Sequence, residues 1–345
     1  MINKTFSRRN FLKLSGMSLG SLAFKPFIDT ESPSYQRRLM RVAELNADDP
    51  LVIRKEPNDE INNIVYQRYK DELINVYYEL ESEHGPEYNP IWYRVWGGYA
   101  HRGKLQEVQY SLNPVADSIQ KEYQLGEITV PYTRAMRYTS IDGWYPIYRL
   151  YYETTHWIKD IITGPDGQPW YLLEDELLRP IDYAIPAVHM RLISDTEIAP
   201  ISPDVPEAEK RIEISISHQE LTAYEGDEIA LQTKIASGVL TKEKQTPSGE
   251  FRILSKYASK HMGGGRMTSD INAYVLIGVP WTCFFTENGV AIHGTFWHND
   301  FGRTKSSGCI NMRNQDAKWI FRWVSPAGDT IYPYRTGFGT RVSVI

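Results

Sequence analysis

A chain of 345 residues is longer than one small barrel needs and suits two or three domains at ~100–200 residues each. Its apolar fraction of 41% and charged fraction of 23% are those of an ordinary globular protein, and its 23 Tyr and 9 Trp favour pleated faces, where rings pack well. The mildly negative formal charge of −5 excludes recruitment of nucleic acid or an anionic membrane by bulk electrostatics.

The first segment reads "TFSRRNFLKLSGMSLGSLAF", with Arg8 and Arg9 paired ahead of Phe11, Leu12 and Lys13 and a short apolar run from Leu14 to Phe24. That run is too short for an ordinary transmembrane helix, which needs ~20 apolar residues. The Ser-Arg-Arg-x-Phe-Leu-Lys core resembles a twin-arginine export signal. The resemblance implies an extracytoplasmic, cell-envelope location, with residues 1–23 removed or kept as an anchor; only an uncleaved signal would make the membrane a partner. Cleavage after Ala23 deletes Lys4, Arg8, Arg9 and Lys13 and moves the formal charge from −5 to −9. Export also bears on the two cysteines, Cys283 and Cys309, because an oxidising compartment permits a bridge between them.

Residues 24–39 read as a polar, proline-containing linker. From about Met40 the pattern becomes short alternating runs broken by Pro57, Gly85-Pro86 and Gly97-Gly98, which predicts strands and turns. The stretch 70–81 has helical composition in part, but its β-branched and aromatic content predicts strand. "VIRKEP", "NPIWYRV" and "GGYAHRGKLQEV" resemble a bacterial Src-homology-type small β-barrel over 40–125, a module that implies cell-wall peptide binding or a spacer role. Residues 126–195 run similarly, with "PWYLLED" where the first segment has "IWYRV" and a turn at Gly164-Pro165-Asp166-Gly167, so a diverged second module is expected. His101, His156 and His189 stand singly there and read as packed histidines rather than ligands.

Residues 196–210, rich in proline and acids, are the best linker in the chain. Beyond it, Ile212, Ile214 and Ile216 alternate strictly, and a turn around Gly226 leads into "IALQTKIAS", a hairpin that opens an all-β domain over 211–345. The one good helix runs from Asn314 to Val324. No His, Cys, Asp and Glu spacing suits a metal, and no cofactor is expected.

Near the end comes "AIHGTFWHNDFGRTKSSGCINM", residues 291–312. A free cysteine is mostly protonated at neutral pH and needs a base or a positive field to become a nucleophile. Histidine is the usual partner. His293 precedes Cys309 by sixteen positions, and a strand, a loop and a return permit them to meet. Gly308 allows a tight bend whose amides, with the Cys309 N–H, could cradle an oxyanion. Local chemistry leaves an inert thiol in a turn equally open.

The ordered run of "IEISISHQELTAYEGDEIALQTKIASG" (with Gln219-Glu220-Leu221 and Ser237-Gly238), "TPSGEFRI", "VPWTCFF", "GVAIHGTFWHNDFG" and "SSGCINM" resembles the catalytic domain of the L,D-transpeptidases, the YkuD-like family. The resemblance implies a β-sandwich that joins peptidoglycan stem peptides: the Cys309 thiolate forms a thioester with loss of D-alanine, and an amine resolves it as a 3→3 crosslink. It implies His293 as base, Gly308 in the oxyanion loop, and Gly294 and Asn311 as supporting residues. Trp281, Phe296 and Trp297 could line a groove or pack in the core. Cys283 reads as a small buried hydrophobe, and "HMGGGRM", residues 261–267, as a lid or flank.

One departure stands out. The family usually has Ser/Thr-His-Gly-Cys, whereas this chain has Ser306-Ser307-Gly308-Cys309. Ser307 hydrogen-bonds but cannot carry a proton charge near neutrality, and His298 could partly substitute. Two rival readings follow: a wall-binding protein with a decayed catalytic domain, and a hydrolytic L,D-carboxypeptidase. A sortase-like reading does not fit the glycine before Cys309. Oligomeric state is not legible.

Overall fold

The computed structural model describes residues 38–46, 48–174, 182–264, 274–326 and 339–345. The export-signal reading, with residues 1–37, lies outside the described residues. The chain is mainly β, as its composition predicts. Among the described residues no helix is long and apolar enough to cross a membrane.

Two seven-stranded sheets come first. In the sheet of residues 38–108 the lateral order is Ile64–Arg68, Leu51–Arg54, Gly98–His101, Ile91–Val95, Leu73–Glu81, Arg38–Val42, Leu105–Val108. In the sheet of residues 124–192 it is Gly143–Tyr151, Tyr132–Thr139, Asp182–Pro186, Pro169–Glu174, Thr155–Thr163, Gln124–Ile128, Met190–Leu192. Ranked along the chain, both orders are the same: third, second, sixth, fifth, fourth, first, seventh. Each sheet also inserts a 3-10 turn before its last strand, Arg102–Lys104 and Ala187–His189. Each carries a bulge between its fourth and fifth strands, at Val76/Tyr78 and Ile158/Asp160. The weak likeness of "IWYRV" to "PWYLLE" thus coincides with equivalent fifth strands. Alternation builds each core: Ile74 and Val76 of one fourth strand point inward with Met40, Ile53 and Tyr93. The first sheet starts at Arg38 and the second at Gln124, each two residues ahead of the boundary read from sequence.

The third region is a sandwich. A five-stranded sheet, ordered Glu228–Lys234, Glu220–Glu225, Lys210–Ser215, Arg341–Val344, Gly249–Arg252, faces a four-stranded sheet, ordered Ser255–Gly264, Tyr274–Phe284, Ala291–Gly294, Ile310–Met312. The opening is three strands rather than the two expected. Glu220–Glu225 lies between them, and its run of buried Leu221, Thr222 and Ala223 hides the alternation that would have marked it. The helix Asn314–Trp323 buries Ala317, Ile320 and Phe321 at helical spacing against Trp281, Ile292 and Met312. It ends one residue before the predicted Val324.

The three regions pack on one another. Leu125 of the second sheet and Ile193, just past its last strand, enter the sandwich core, and Ile277 enters the second sheet's core. Gly278, at φ +70°, lets the strand Tyr274–Phe284 press against His156; a Cβ there would sit 2.3 Å from the imidazole. Arg41 ties all three. Its buried guanidinium bonds the Phe296 carbonyl at 2.7 Å, Asp71 at 3.0 Å and Gln106 at 2.7 Å. It also stacks 4.2 Å from the Tyr151 ring centre. His101, His156 and His189 are satisfied packed histidines, bonded to the Asn89 carbonyl, to Thr154 and Tyr183, and to Thr133.

Candidate active site

The strands Ala291–Gly294 and Ile310–Met312 run parallel, with Ile292 opposite Ile310 and His293 opposite Asn311. Because side chains alternate, Ile292 and Ile310 enter the sandwich core while His293 and Asn311 share the other face. Cys309 immediately precedes the second strand. It joins His293 and Asn311 in the wall of one cavity of about 650 Å³.

The loop before Cys309 is held from beneath. The Gln219 carboxamide brackets Ser237, accepting its N–H at 2.8 Å and donating to its hydroxyl at 2.7 Å. The Ser237 carbonyl in turn accepts the N–H groups of Lys305 and Ser306 at 2.8 and 3.0 Å. Thr246 accepts the Gly238 N–H at 2.9 Å and donates to the Gly308 carbonyl at 2.8 Å. A planar trans peptide places its N–H opposite its carbonyl, so the Cys309 N–H points away from Thr246. Gly308 itself sits at φ +122°, a region that disfavours side chains. Its own N–H is taken by the Ser306 hydroxyl at 3.1 Å. Of the two amides proposed from sequence to cradle an oxyanion, only that of Cys309 is therefore unclaimed by this loop serine.

His293 is buried, and its Nδ1 lies 2.9 Å from the Gly294 carbonyl. A carbonyl only accepts, so Nδ1 carries the proton and Nε2 keeps a lone pair. Burial lowers the imidazole to about 4, so it is neutral at pH 7. Gly294 has no room for a side chain, since a Cβ would lie 2.5 Å from Asn314 Oδ1 and 2.8 Å from Pro280. Cys309 is half-buried, with Sγ 3.8 Å from the Gly289 carbonyl oxygen, and burial pushes its thiol up from the usual value. At rest the pair is thiol and neutral imidazole, not an ion pair.

His298 is placed differently from His293. It is buried outside the cysteine's cavity, with Nδ1 accepting the Asp300 N–H at 3.1 Å. Its proton therefore sits on Nε2, which lies 2.8 Å from Asn311 Nδ2; since two N–H donors cannot bond each other, the Asn311 carboxamide is assigned turned over, with its oxygen accepting from Nε2. Desolvation, with Lys305 nearby, drives its pKa well down. It steadies Asn311 and does not reach the thiol's cavity. Ser307 is exposed and lines the cavity beside Cys309.

Two aromatics named as groove candidates belong to the interior. Trp281 is 1% exposed and packs on Phe321 at 5.4 Å in the sandwich core. Phe296 is 2% exposed and stacks on Tyr151 of the second sheet at 5.3 Å. Only Trp297 faces the cavity, packed 5.6 Å from His293. Both thiols are free. Cys283 faces the core with Ile292, away from Cys309, and burial raises it to about 12. Met262 and Gly263 flank the cavity, and residues 265–267 of that glycine-rich stretch lie outside the described residues. Among the described residues no His, Cys, Asp and Glu cluster suits a metal. The remaining wall was not foreseen: Glu44 and Leu45 from the first sheet's side, with Leu276 and Lys305. Thr246 had a signal, lying in the quoted "TPSGEF"; Glu44 had none.

Residues 209–344 match the family described as the L,D-transpeptidase catalytic domain. A protein of Bacillus licheniformis named as an L,D-transpeptidase, YkuD, is 33% identical over 107 residues, 31% of this chain and 54% of that protein. The chain thus spans about half the length of this curated relative. Among solved structures, the catalytic domain of Enterococcus faecium L,D-transpeptidase is 25% identical over 39% of this chain and 96% of its own, with a TM-score of 0.30. L,D-transpeptidase 3 of Mycobacterium tuberculosis is 18% identical over 52% and 79%, with a TM-score of 0.32.

Proposed function

With residues 209–344 an L,D-transpeptidase catalytic domain, we propose that the protein is an exported cysteine acyltransferase that crosslinks peptidoglycan stem peptides in the cell envelope, with the two sheets of residues 38–192 as tandem small barrels. The observation that carries this reading is the placement of Cys309 and His293 in one cavity wall, with the Nδ1–Gly294 bond leaving His293 Nε2 as a proton acceptor.

In the first half-reaction the Cys309 thiol gives its proton to Nε2 as sulfur attacks the carbonyl of the third stem residue. The tetrahedral oxyanion takes the Cys309 N–H. Collapse breaks the peptide bond to the terminal D-alanine, whose nitrogen leaves with the proton from the imidazolium, and a thioester remains. In the second half an amine of a neighbouring stem attacks the thioester. Its proton passes to Nε2, the C–S bond breaks, and the sulfur recovers the proton, giving a 3→3 crosslink. A neutral His293 suits this cycle because it starts able to accept. The raised thiol starts protonated, so it needs this base to become a nucleophile. Ser307 adds a hydroxyl at the mouth without adding a titrating group.

Intact mass after incubation with a carbapenem tests the nucleophile. One adduct is expected on the parent and on Cys283→Ala, and none on Cys309→Ala. A His293→Ala chain acylated as fast as the parent would remove histidine from the base role. Given tetrapeptide donor and acceptor, crosslinked dimer identifies a transpeptidase. Release of D-alanine with free tripeptide alone identifies a carboxypeptidase, and retention on purified sacculi with neither product identifies a binding protein.

A further inference from the structure

Among the described residues lining the cysteine's cavity, the two with full charges are Glu44 and Lys305, which meet across it with Oε2 and Nζ 3.1 Å apart. They come from opposite ends of the chain. Glu44 follows the strand Arg38–Val42 of the first sheet, and Lys305 lies four residues before Cys309. Both are held. Glu44 Oε1 accepts the N–H groups of Leu45 at 3.0 Å and Asn46 at 3.4 Å, which turns Oε2 toward Lys305. The Lys305 backbone is fastened to the Ser237 carbonyl, and its ammonium also lies 3.8 Å from Asp300.

The side chains are 12% and 18% exposed, so each still reaches open space. An ammonium has three donors and a carboxylate about four acceptor positions, so their mutual bond leaves capacity on each. Leu45, Met262, Leu276 and Trp297 make much of the wall apolar, beside the polar Ser306, Ser307 and Asn311, and apolar surroundings strengthen any charge pairing made there.

We propose that Glu44 and Lys305 form a head-group site for a ligand bearing an ammonium and a carboxylate on one carbon, so that the first sheet takes part in choosing what the cavity accepts. The ligand's ammonium would bond Glu44 and its carboxylate Lys305, closing a ring of four alternating charges. A ligand with only a carboxylate would meet Glu44, and one with only an ammonium would meet Lys305, so each half of the pair rejects the singly charged analogue. The identity of the amino acid rests on the acyl-transfer reading above, which allows two sources: the residue that leaves the donor stem, or the amino-acid centre whose amine attacks.

Binding decides the proposal without relying on turnover. The full chain carrying Cys309→Ala is titrated calorimetrically with D-alanine, D-alaninamide and propionate. D-alanine is expected to bind at least about ten-fold more tightly than either analogue, ~1.4 kcal/mol. Adding Lys305→Gln should reduce D-alanine to the level of D-alaninamide, adding Glu44→Gln should reduce it to that of propionate, and Lys305→Arg should keep the ranking. A flat ranking in the Cys309→Ala chain overturns the proposal even if the Gln variants fail to fold. So does a ranking that survives both Gln substitutions while the thermal midpoint falls, because the pair would then only fasten the first sheet to the loop. The source is read from acylation. Free D-alanine that slows donor acylation competitively points to the leaving residue, which gains its ammonium only when its peptide bond breaks, and an acceptor centre preferred with its carboxylate free over its carboxamide points to the attacking one. A chain that shows the ranking but takes no carbapenem adduct keeps this site and loses the acyl-transfer reading.

Discussion

His293 donates its Nδ1 proton to the carbonyl of its own neighbour, Gly294, 2.9 Å away. That single bond selects the tautomer, and burial then keeps the ring neutral, with its pKa lowered from 6.5 to about 4. Between those values the unfolded chain binds a proton that the folded chain refuses. Stability is therefore complete above pH 6.5 and falls as pH drops toward 4, by at most about 3 kcal/mol from this group at ~1.4 kcal/mol per unit. Urea denaturation at pH 7.5 and 4.5 should show the parent losing more stability than His293→Gln, which cannot titrate. Equal losses would mean that the ring titrates in the folded chain as it does in the unfolded one.

Thr246 joins two backbone groups that have no other role in the loop, the Gly238 N–H and the Gly308 carbonyl. Thr246→Val keeps the shape and loses both bonds, at about 1–3 kcal/mol for each group left unpaired. The Gly308–Cys309 peptide then loses its orientation. Carbapenem acylation should slow by up to about a hundred-fold, the scale on which ångström misplacement acts. Thr246→Ser should restore both the thermal midpoint and the rate, and a Val variant as fast as the parent would show that the peptide is held by something else.

Arg41 is a buried cation whose bonds reach Asp71, Gln106 and the Phe296 carbonyl. Removing one partner of a buried ion pair costs about 3–5 kcal/mol. Arg41→Met should sit near the lower end because Asp71 keeps its bond to Arg149. Adding Asp71→Asn, a residue that tolerates the left-handed backbone there (φ +68°), should recover part of the loss, since the carboxylate left with Arg149 alone loses its charge. Chemical denaturation of the two single variants and the double variant gives the coupling, and strict additivity would mean that the pair contributes nothing beyond its members.

Much of the architecture was legible because it is written in local periodicity. Ile212 and Ile214 alternate into a core, Ile74 and Val76 do the same, and Ala317, Ile320 and Phe321 recur at helical spacing. The family resemblance carried by residues 211–345 is met by the family match over 209–344. The strand Glu220–Glu225 was missed where three successive buried residues conceal the alternation. Landmarks read as a family pattern acquire a physical meaning in the fold: Gln219, Ser237-Gly238 and Thr246 form the hydrogen-bonded bed of the loop that carries Cys309.

Periodicity tells which side of an element is covered but not by what. Trp281, Phe296 and Trp297 are all buried rings, and only packing decided that the first fills the sandwich, the second stacks on the second sheet and the third faces the cavity. His293 and His298 are five residues apart with the same side chain, yet the neighbour of each Nδ1, a carbonyl for one and an N–H for the other, gives them opposite tautomers. Glu44 lies 261 residues from Lys305 and carries no local mark of the cavity. By itself the sequence determined the β character, the core faces and the cysteine and histidine worth testing, because these depend on neighbours along the chain. The proton positions, the cavity wall and the part taken by the first sheet were decided only when distant segments packed, because hydrogen bonds and ion pairs act over ångströms in space whatever the separation in sequence.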